Sequence, residues 1–191
     1  MIRILLRSLN APLLVLLSTI AIALQTSLFS SYPLMYLQPD LILLVVIWIA
    51  LKRDFTEGGV VTLILANVAE IHSASPQGLL MICYMSIYLL IRLASKLLVI
   101  PNLPYLMILT MVASVIWKIV ALIVVHLFGL SGNQWKHTLV LLAPGAMVSG
   151  AFGFWVYRGL ERFDLKTYKN KRAEQQMEGD LQIESSEIGG L

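Results

Sequence analysis

Three apolar runs crowd the stretch from Leu37 to Arg92, separated only by Lys52 to Glu57 and by Glu70 to Gly78, and they constrain this chain more than any other feature. Runs this close together leave almost no polar chain from which to build a water-facing surface. The composition agrees: 58% of the 191 residues are hydrophobic, 13% are charged and the mean hydropathy is +0.81. The expected fold is all-α, a polytopic membrane helix bundle. A hydrocarbon core of about 30 Å needs about 20 apolar residues per helix, so the apolar content suits about six transmembrane helices.

The spans are expected at 11–30, 36–55, 57–71, 78–95, 104–128 and 138–158, within a membrane domain of residues 1–162 followed by a charged cytoplasmic tail, 163–191. The basic start (Arg3, Arg7), the apolar run and Ala21-Ile22-Ala23 also suit a cleavable signal peptide, which would leave the order of the later spans unchanged. Asp40, following Pro39, is placed to cap a helix beginning at Leu41. The uninterrupted run Leu41 to Leu51 covers only about 16 Å at 1.5 Å per residue, too short to cross alone. It must recruit residues toward Tyr36 and Phe55 or form a broken or re-entrant element. Runs two and three are expected to be a tightly packed pair whose turn holds Lys52 and Arg53. Pro101 and Pro104 break the chain before span five, and Pro144 invites a kink in span six.

Basic residues set the orientation. With six spans and a cytoplasmic N-terminus, every Lys and Arg except Lys118 and Lys136 falls in a cytoplasmic segment, so both termini are expected in the cytoplasm. The net charge of +3 is thereby explained without nucleic acid. Arg92 and Lys96 are expected to snorkel toward lipid phosphates. The tail is basic from Arg158 to Arg172, suiting an anionic lipid surface, and acidic from Ala173 to Leu191, where it is expected to be disordered. Cys83, the sole cysteine, reads as a small packing residue, with neither a disulfide nor a cysteine-based metal site available.

Ionisable side chains inside spans are costly, about 2.5–3.5 kcal/mol for Lys or Asp at a helix centre on insertion scales, and two stand out, Glu70 and Lys118. At helical spacing Thr110, Ser114 and Lys118 share one face, as do Thr62, Ala66 and Glu70, so an intramembrane Glu70–Lys118 pair is expected where these faces meet. The alternative is that Glu70 reaches outer water and Lys118 snorkels. Asp40, Asn67 and His72 are candidate polar contacts toward the outer face. Asp40, Glu70, His72 and His126 match no metal-ligand spacing, and no metal or other cofactor is expected. Gly145, Ser149 and Gly153 form a small-xxx-small ladder, a face for helix packing or for a partner. Trp48, Trp135 and Trp155 suit interfacial belts. No Walker loop, dinucleotide fingerprint, nucleophile elbow or zinc-helix motif is present, and the chain is not expected to be an enzyme.

Gln38-Pro39-Asp40, a Trp-containing apolar run, the basic break Lys52-Arg53, a Gly-led third run, Glu70, Ser73-Ala74-Ser75-Pro76-Gln77-Gly78-Leu79 and a Tyr-containing run together resemble the rod shape-determining protein MreD family. The likeness is continuous over about Leu37 to Leu93. The family's usual Gly-x-x-x-Asp-x-x-Ser-Gly-like segment falls on Ala66 to Ala74, with Glu70 for the Asp and alanine at both glycine positions. The resemblance implies a non-catalytic inner-membrane component of the bacterial cell-elongation machinery. It would work beside MreC, MreB and the glycosyltransferase and transpeptidase of lateral wall peptidoglycan synthesis. It also implies a fold similar to the substrate-binding subunits of energy-coupling-factor vitamin transporters. The alternative function is therefore a small-ligand-binding subunit that uses Asp40, Asn67, Glu70 and Lys118 as polar contacts.

Overall fold

A computed structural model describes residues 2–28, 39–73, 75–95, 103–129 and 142–167, and every regular element among them is an α-helix. The connection before Pro39, Lys96, the Pro101 break, Lys136, Trp135 and the tail beyond Thr167 lie outside the described residues. The chain divides into two compact units, Val15–Tyr157 and a smaller one formed by Met1–Leu14 with Arg158–Leu191.

The larger unit is built around its shortest helix. Helix α2 (Leu41–Lys52) is 12 residues long, about 18 Å at 1.5 Å per residue, and every residue from Ile42 to Ala50 is buried. A helix that is apolar around its whole circumference has no face to offer water, so its neighbours must enclose it. Its N-terminus is fixed by Asp40, whose Oδ1 accepts the Leu43 N–H at 2.9 Å, as the Pro-Asp start implied. Its C-terminus ends at Arg53. Helix α3 (Phe55–Ile71) begins two residues on, with Glu57 in its first turn where the helix dipole favours a negative charge. The expected tight pair around Lys52 and Arg53 is thus present.

Helix α3 buries Gly58, Val61, Thr62, Leu65, Ala66 and Ala69, one face at i, i+3 and i+4 spacing, and turns Val60, Leu63, Ile64 and Ile71 outward. Gly78, at φ +86°, is the N-cap of α4 (Leu79–Ala94), a conformation glycine adopts without a Cβ penalty. Helix α4 packs against α2 and α3 through Cys83, Tyr84, Ile87, Tyr88 and Ile91. The contact with α3 is close at Gly58, where a Cβ would lie 2.8 Å from the Tyr88 hydroxyl, itself donating to the Phe55 carbonyl at 2.7 Å.

Helices α1 (Ile2–Leu28), α5 (Leu103–Leu127) and α6 (Leu142–Lys166) are the long ones. Helix α1 starts earlier than expected and continues through Pro12, with Leu14, Ser18 and Ile22 buried at four-residue spacing. Pro144 falls in the first turn of α6, where a missing N–H breaks no intrahelical bond and forces no kink. Helix α6 runs past the expected span end and past the domain boundary at 162, as far as Lys166.

Two segments, Leu9–Leu28 and Tyr105–Leu127, are long and apolar enough to cross a membrane, while α2 and α4 are apolar but shorter. The exterior of the larger unit is apolar as well. Leu16, Leu24, Val60, Ile71, Leu93, Ile108, Ile123 and Met147 are all exposed, a surface suited to hydrocarbon. In the smaller unit, Asn10 is fully buried and donates to Asp164 Oδ1 at 3.3 Å and to Thr167 Oγ1.

Candidate functional site

The N-terminal end of α2 opens into a cavity of about 430 Å³ to which all six described helices contribute. Helix α1 supplies Ile22, Gln25 and Thr26, the start of α2 supplies Pro39, Asp40 and Ile42, and the end of α3 supplies Ala69 and His72 with Ser73 beyond it. Leu80 and Tyr84 come from α4, Ser114, Trp117 and Lys118 from α5, and Gly145 and Ser149 from α6. Apolar walls carrying a few convergent polar groups are the usual build of a small-ligand site, and the volume lies within the usual range of about 300–1,000 Å³.

Asp40 is its organising residue. Besides the Leu43 N–H, its carboxylate accepts the Tyr84 hydroxyl at 3.1 and 3.0 Å, and its backbone N–H donates to Ser149 Oγ at 3.4 Å. Gln25 Oε1 accepts the Leu41 N–H, another of the unpaired donors at the helix start. The carboxylate is therefore held in one orientation by groups from α2 and α4. Tyr84 in turn packs against Trp117, ring centroids 5.7 Å apart. Lys118 faces the same cavity, close enough for its charge and that of Asp40 to act on each other. The ammonium rests over Gly145, where a Cβ would lie 2.6 Å from Nζ.

The expected polar pair is rearranged. The Glu70 carboxylate accepts the Gly78 N–H, bracing the turn into α4, and the carboxylate that shares a cavity with Lys118 is Asp40. The faces expected to meet are both buried, at Thr62 and Ala66 on α3 and at Thr110 and Ser114 on α5. Their principal neighbours, however, are α2 and α4, the two helices that α3 and α5 share. Of the outer-face candidates, Asp40 and His72 line the cavity, His72 at its exposed rim with Nδ1 2.9 Å from the Val68 carbonyl oxygen. Asn67 does not line it. It is exposed on the outward face of α3. Among the described residues no three His, Cys, Asp or Glu side chains come together as a metal site, and His126 is exposed at the end of α5.

The ladder Gly145, Ser149 and Gly153 is buried within the larger unit, which makes it a packing face and corrects its use as an exposed partner surface. Gly145 receives Lys118, Ser149 meets Asp40, and a Cβ on Gly153 would lie 3.4 Å from Leu44 and 3.2 Å from Tyr157. Trp48 is also corrected: it is a core residue, 5% exposed and stacked on Tyr157 at 6.0 Å, whereas Trp155 is exposed. Arg92 hydrogen-bonds the Ala50 carbonyl at 3.0 Å, closing the C-terminal end of α2, and Lys52 lies 5.4 Å over the Trp48 ring. The residues that sequence reasoning missed at the site are Tyr84, Trp117 and Gln25. Their link to Asp40 crosses between helices and leaves no spacing signal.

Among the described residues, fold and site define a helical bundle with two helices long and apolar enough to cross a membrane and a polar cavity at the end of its central helix. No protein-family model, curated protein or solved structure matches the chain.

Proposed function

We propose that this chain is a non-catalytic, multi-pass scaffold of the bacterial inner membrane, both termini cytoplasmic, in the complex that builds lateral wall peptidoglycan during rod elongation. Its partners on this reading are MreC, MreB and the wall-synthesis glycosyltransferase and transpeptidase, with membrane lipid around them. The continuous likeness from Leu37 to Leu93 to the MreD family supports it. The carrying observation is Asn67. It stands in an outward stripe of α3 with Val60, Leu63, Ile64 and Ile71, all exposed, at i, i+3, i+4, i+7 and i+11 spacing. A lone amide facing hydrocarbon is unfavourable, and a neighbouring transmembrane helix relieves it by supplying an interhelical hydrogen bond.

The test is affinity purification of the tagged protein from its native membrane in mild detergent, with mass spectrometry of what accompanies it. MreC and the wall enzymes should be recovered, and Asn67→Leu should lower their recovery about threefold, the equivalent of an interhelical hydrogen bond of about 0.6 kcal/mol. Unchanged recovery with Asn67→Leu removes the α3 stripe as the docking face.

The cavity favours a second reading, a small-ligand-binding membrane subunit of an energy-coupling-factor type vitamin transporter, because a scaffold has no need of convergent polar groups around an open space. Recovery of paired ATPases with a coupling membrane subunit, and of no elongation proteins, would decide for it.

A further inference from the structure

We propose that the cavity at the N-terminal end of α2 binds a small zwitterionic group, its anionic part on the Lys118 ammonium and its cationic part on the Asp40 carboxylate. The inference rests on the geometry of the cavity and holds under either reading of function.

The first support is charge balance. Among the described residues the cavity presents one carboxylate, Asp40, and one ammonium, Lys118, to the same space, from the start of α2 and the middle of α5. A simple anion drawn to Lys118 meets the field of Asp40, and a simple cation drawn to Asp40 meets that of Lys118. In surroundings of low dielectric each repulsion is strong. A zwitterion offers the matching sign to both, and so gains where singly charged competitors are penalised.

The second support is that both charges are seated in advance. Tyr84 and the Leu43 N–H hold the Asp40 carboxylate, yet a carboxylate has about four acceptor positions, so capacity remains for an ammonium. Lys118 lies over Gly145, and only the missing side chain there lets the ammonium occupy that place. Such preorganisation lowers the entropy lost on binding.

The third support is a donor in need of an acceptor. The indole N–H of Trp117, whose ring lines the cavity, is buried and has no hydrogen-bond partner among the described residues. Buried donors are nearly always paired, and an oxyanion held by Lys118, one residue further along α5, would supply the acceptor. The Ser114 and Ser149 hydroxyls add further polar contacts, while Ile22, Ile42 and Leu80 form the apolar wall.

The same chemistry has two sources, an aminophospholipid headgroup or a free zwitterionic solute. The test uses the full chain in a non-ionic detergent, with native mass spectrometry and equilibrium binding of phosphatidylethanolamine and of soluble glycerophosphoethanolamine. Phosphatidylglycerol and glycerophosphoglycerol serve as anion-only controls and ethanolamine as the cation-only control. A zwitterion should be retained at least tenfold better than either control. Retention of the lipid alone identifies a headgroup site, and displacement of the lipid by the soluble compound identifies a solute site.

Gly145→Ala is the most informative variant, because among the described residues the new methyl meets only the flexible end of Lys118, which moves the ammonium. It should weaken zwitterion binding tenfold or more with an unchanged unfolding midpoint. Asp40→Asn, which keeps a capping side chain, should weaken binding as much while retaining most of the wild-type unfolding midpoint, and Trp117→Phe should cost a few-fold. Equal binding of the anion-only or cation-only control, variants that bind like the wild type, or no binding from either source would overturn the proposal. None of those results would alter partner recovery, so failure here and failure of the scaffold reading are separable.

Discussion

The two ends of α2 solve one electrostatic problem in opposite ways. Both leave backbone groups unpaired and both carry a partial charge from the helix dipole. At the C-terminal end Arg92 donates to the Ala50 carbonyl, Lys52 covers Trp48, and the Tyr88 hydroxyl closes the turn into α3 on the Phe55 carbonyl. Space there is consumed: Gly58 sits so near Tyr88 that any side chain would have to displace its hydroxyl. At the N-terminal end Asp40 caps the helix just as fully, yet the surrounding helices stand back and leave a cavity lined by charges of both signs. Stability alone requires the cap and not the open space. The filled end is therefore where this fold is held together, and the open end is where it can act.

The largest effect should come from removing what the open end does share with the filled one. Asp40→Ala deletes the α2 cap, worth about 1 kcal/mol, and strands the buried Tyr84 hydroxyl at a further cost of about 1–3 kcal/mol. A large fall in unfolding midpoint is expected in detergent, with Asp40→Asn recovering most of it. If the alanine variant unfolds like the wild type, Asp40 is no anchor and the contrast between the ends collapses. Next comes Gly58→Ala at the filled end. The added methyl must displace the Tyr88 hydroxyl from the Phe55 carbonyl, and overpacking of this kind costs about 1–3 kcal/mol. Combining it with Tyr88→Phe should restore part of the loss, which a double-mutant cycle would read. Arg92→Met should follow at about 1–2 kcal/mol, the value of one charge-assisted bond to a helix carbonyl, and should leave zwitterion binding at the other end untouched.

The pattern of what was legible follows from range. The Asp40 cap could be read because Pro-Asp before an apolar run is a local signal, and so could the short α2–α3 pair, since two residues cannot join helices that lie far apart. The face of α3 followed from helical spacing. The partners of those same residues could not be read. Tyr84 lies 44 residues from Asp40 and Arg92 lies 42 from Ala50, and no periodicity encodes which helix stands beside which. Lys118 and Glu70 were the two conspicuous charges, but the carboxylate at the end of α3 is spent on the turn that follows it, where it accepts the Gly78 N–H. Trp48 misled for a related reason. Tryptophan favours interfaces when its helix has an exterior, and α2 has none from Ile42 to Ala50.

The smallest expected effect sharpens the comparison most cheaply. Asp54 is the N-cap of α3, two residues after α2 ends, and by sequence it looks like a second Asp40. It makes no side-chain hydrogen bond to the helix it begins, and it is exposed. A cap whose side chain accepts no bond from the helix contributes only its charge near the helix start, screened by solvent, so Asp54→Ala should shift the unfolding free energy by less than about 0.5 kcal/mol. Thermal unfolding of Asp40→Ala and Asp54→Ala side by side checks this. A substantial loss at Asp54 would mean that the junction of α2 and α3 depends on its charge, and that the filled end is held by more than packing, the Arg92 bond and the Tyr88 hydroxyl.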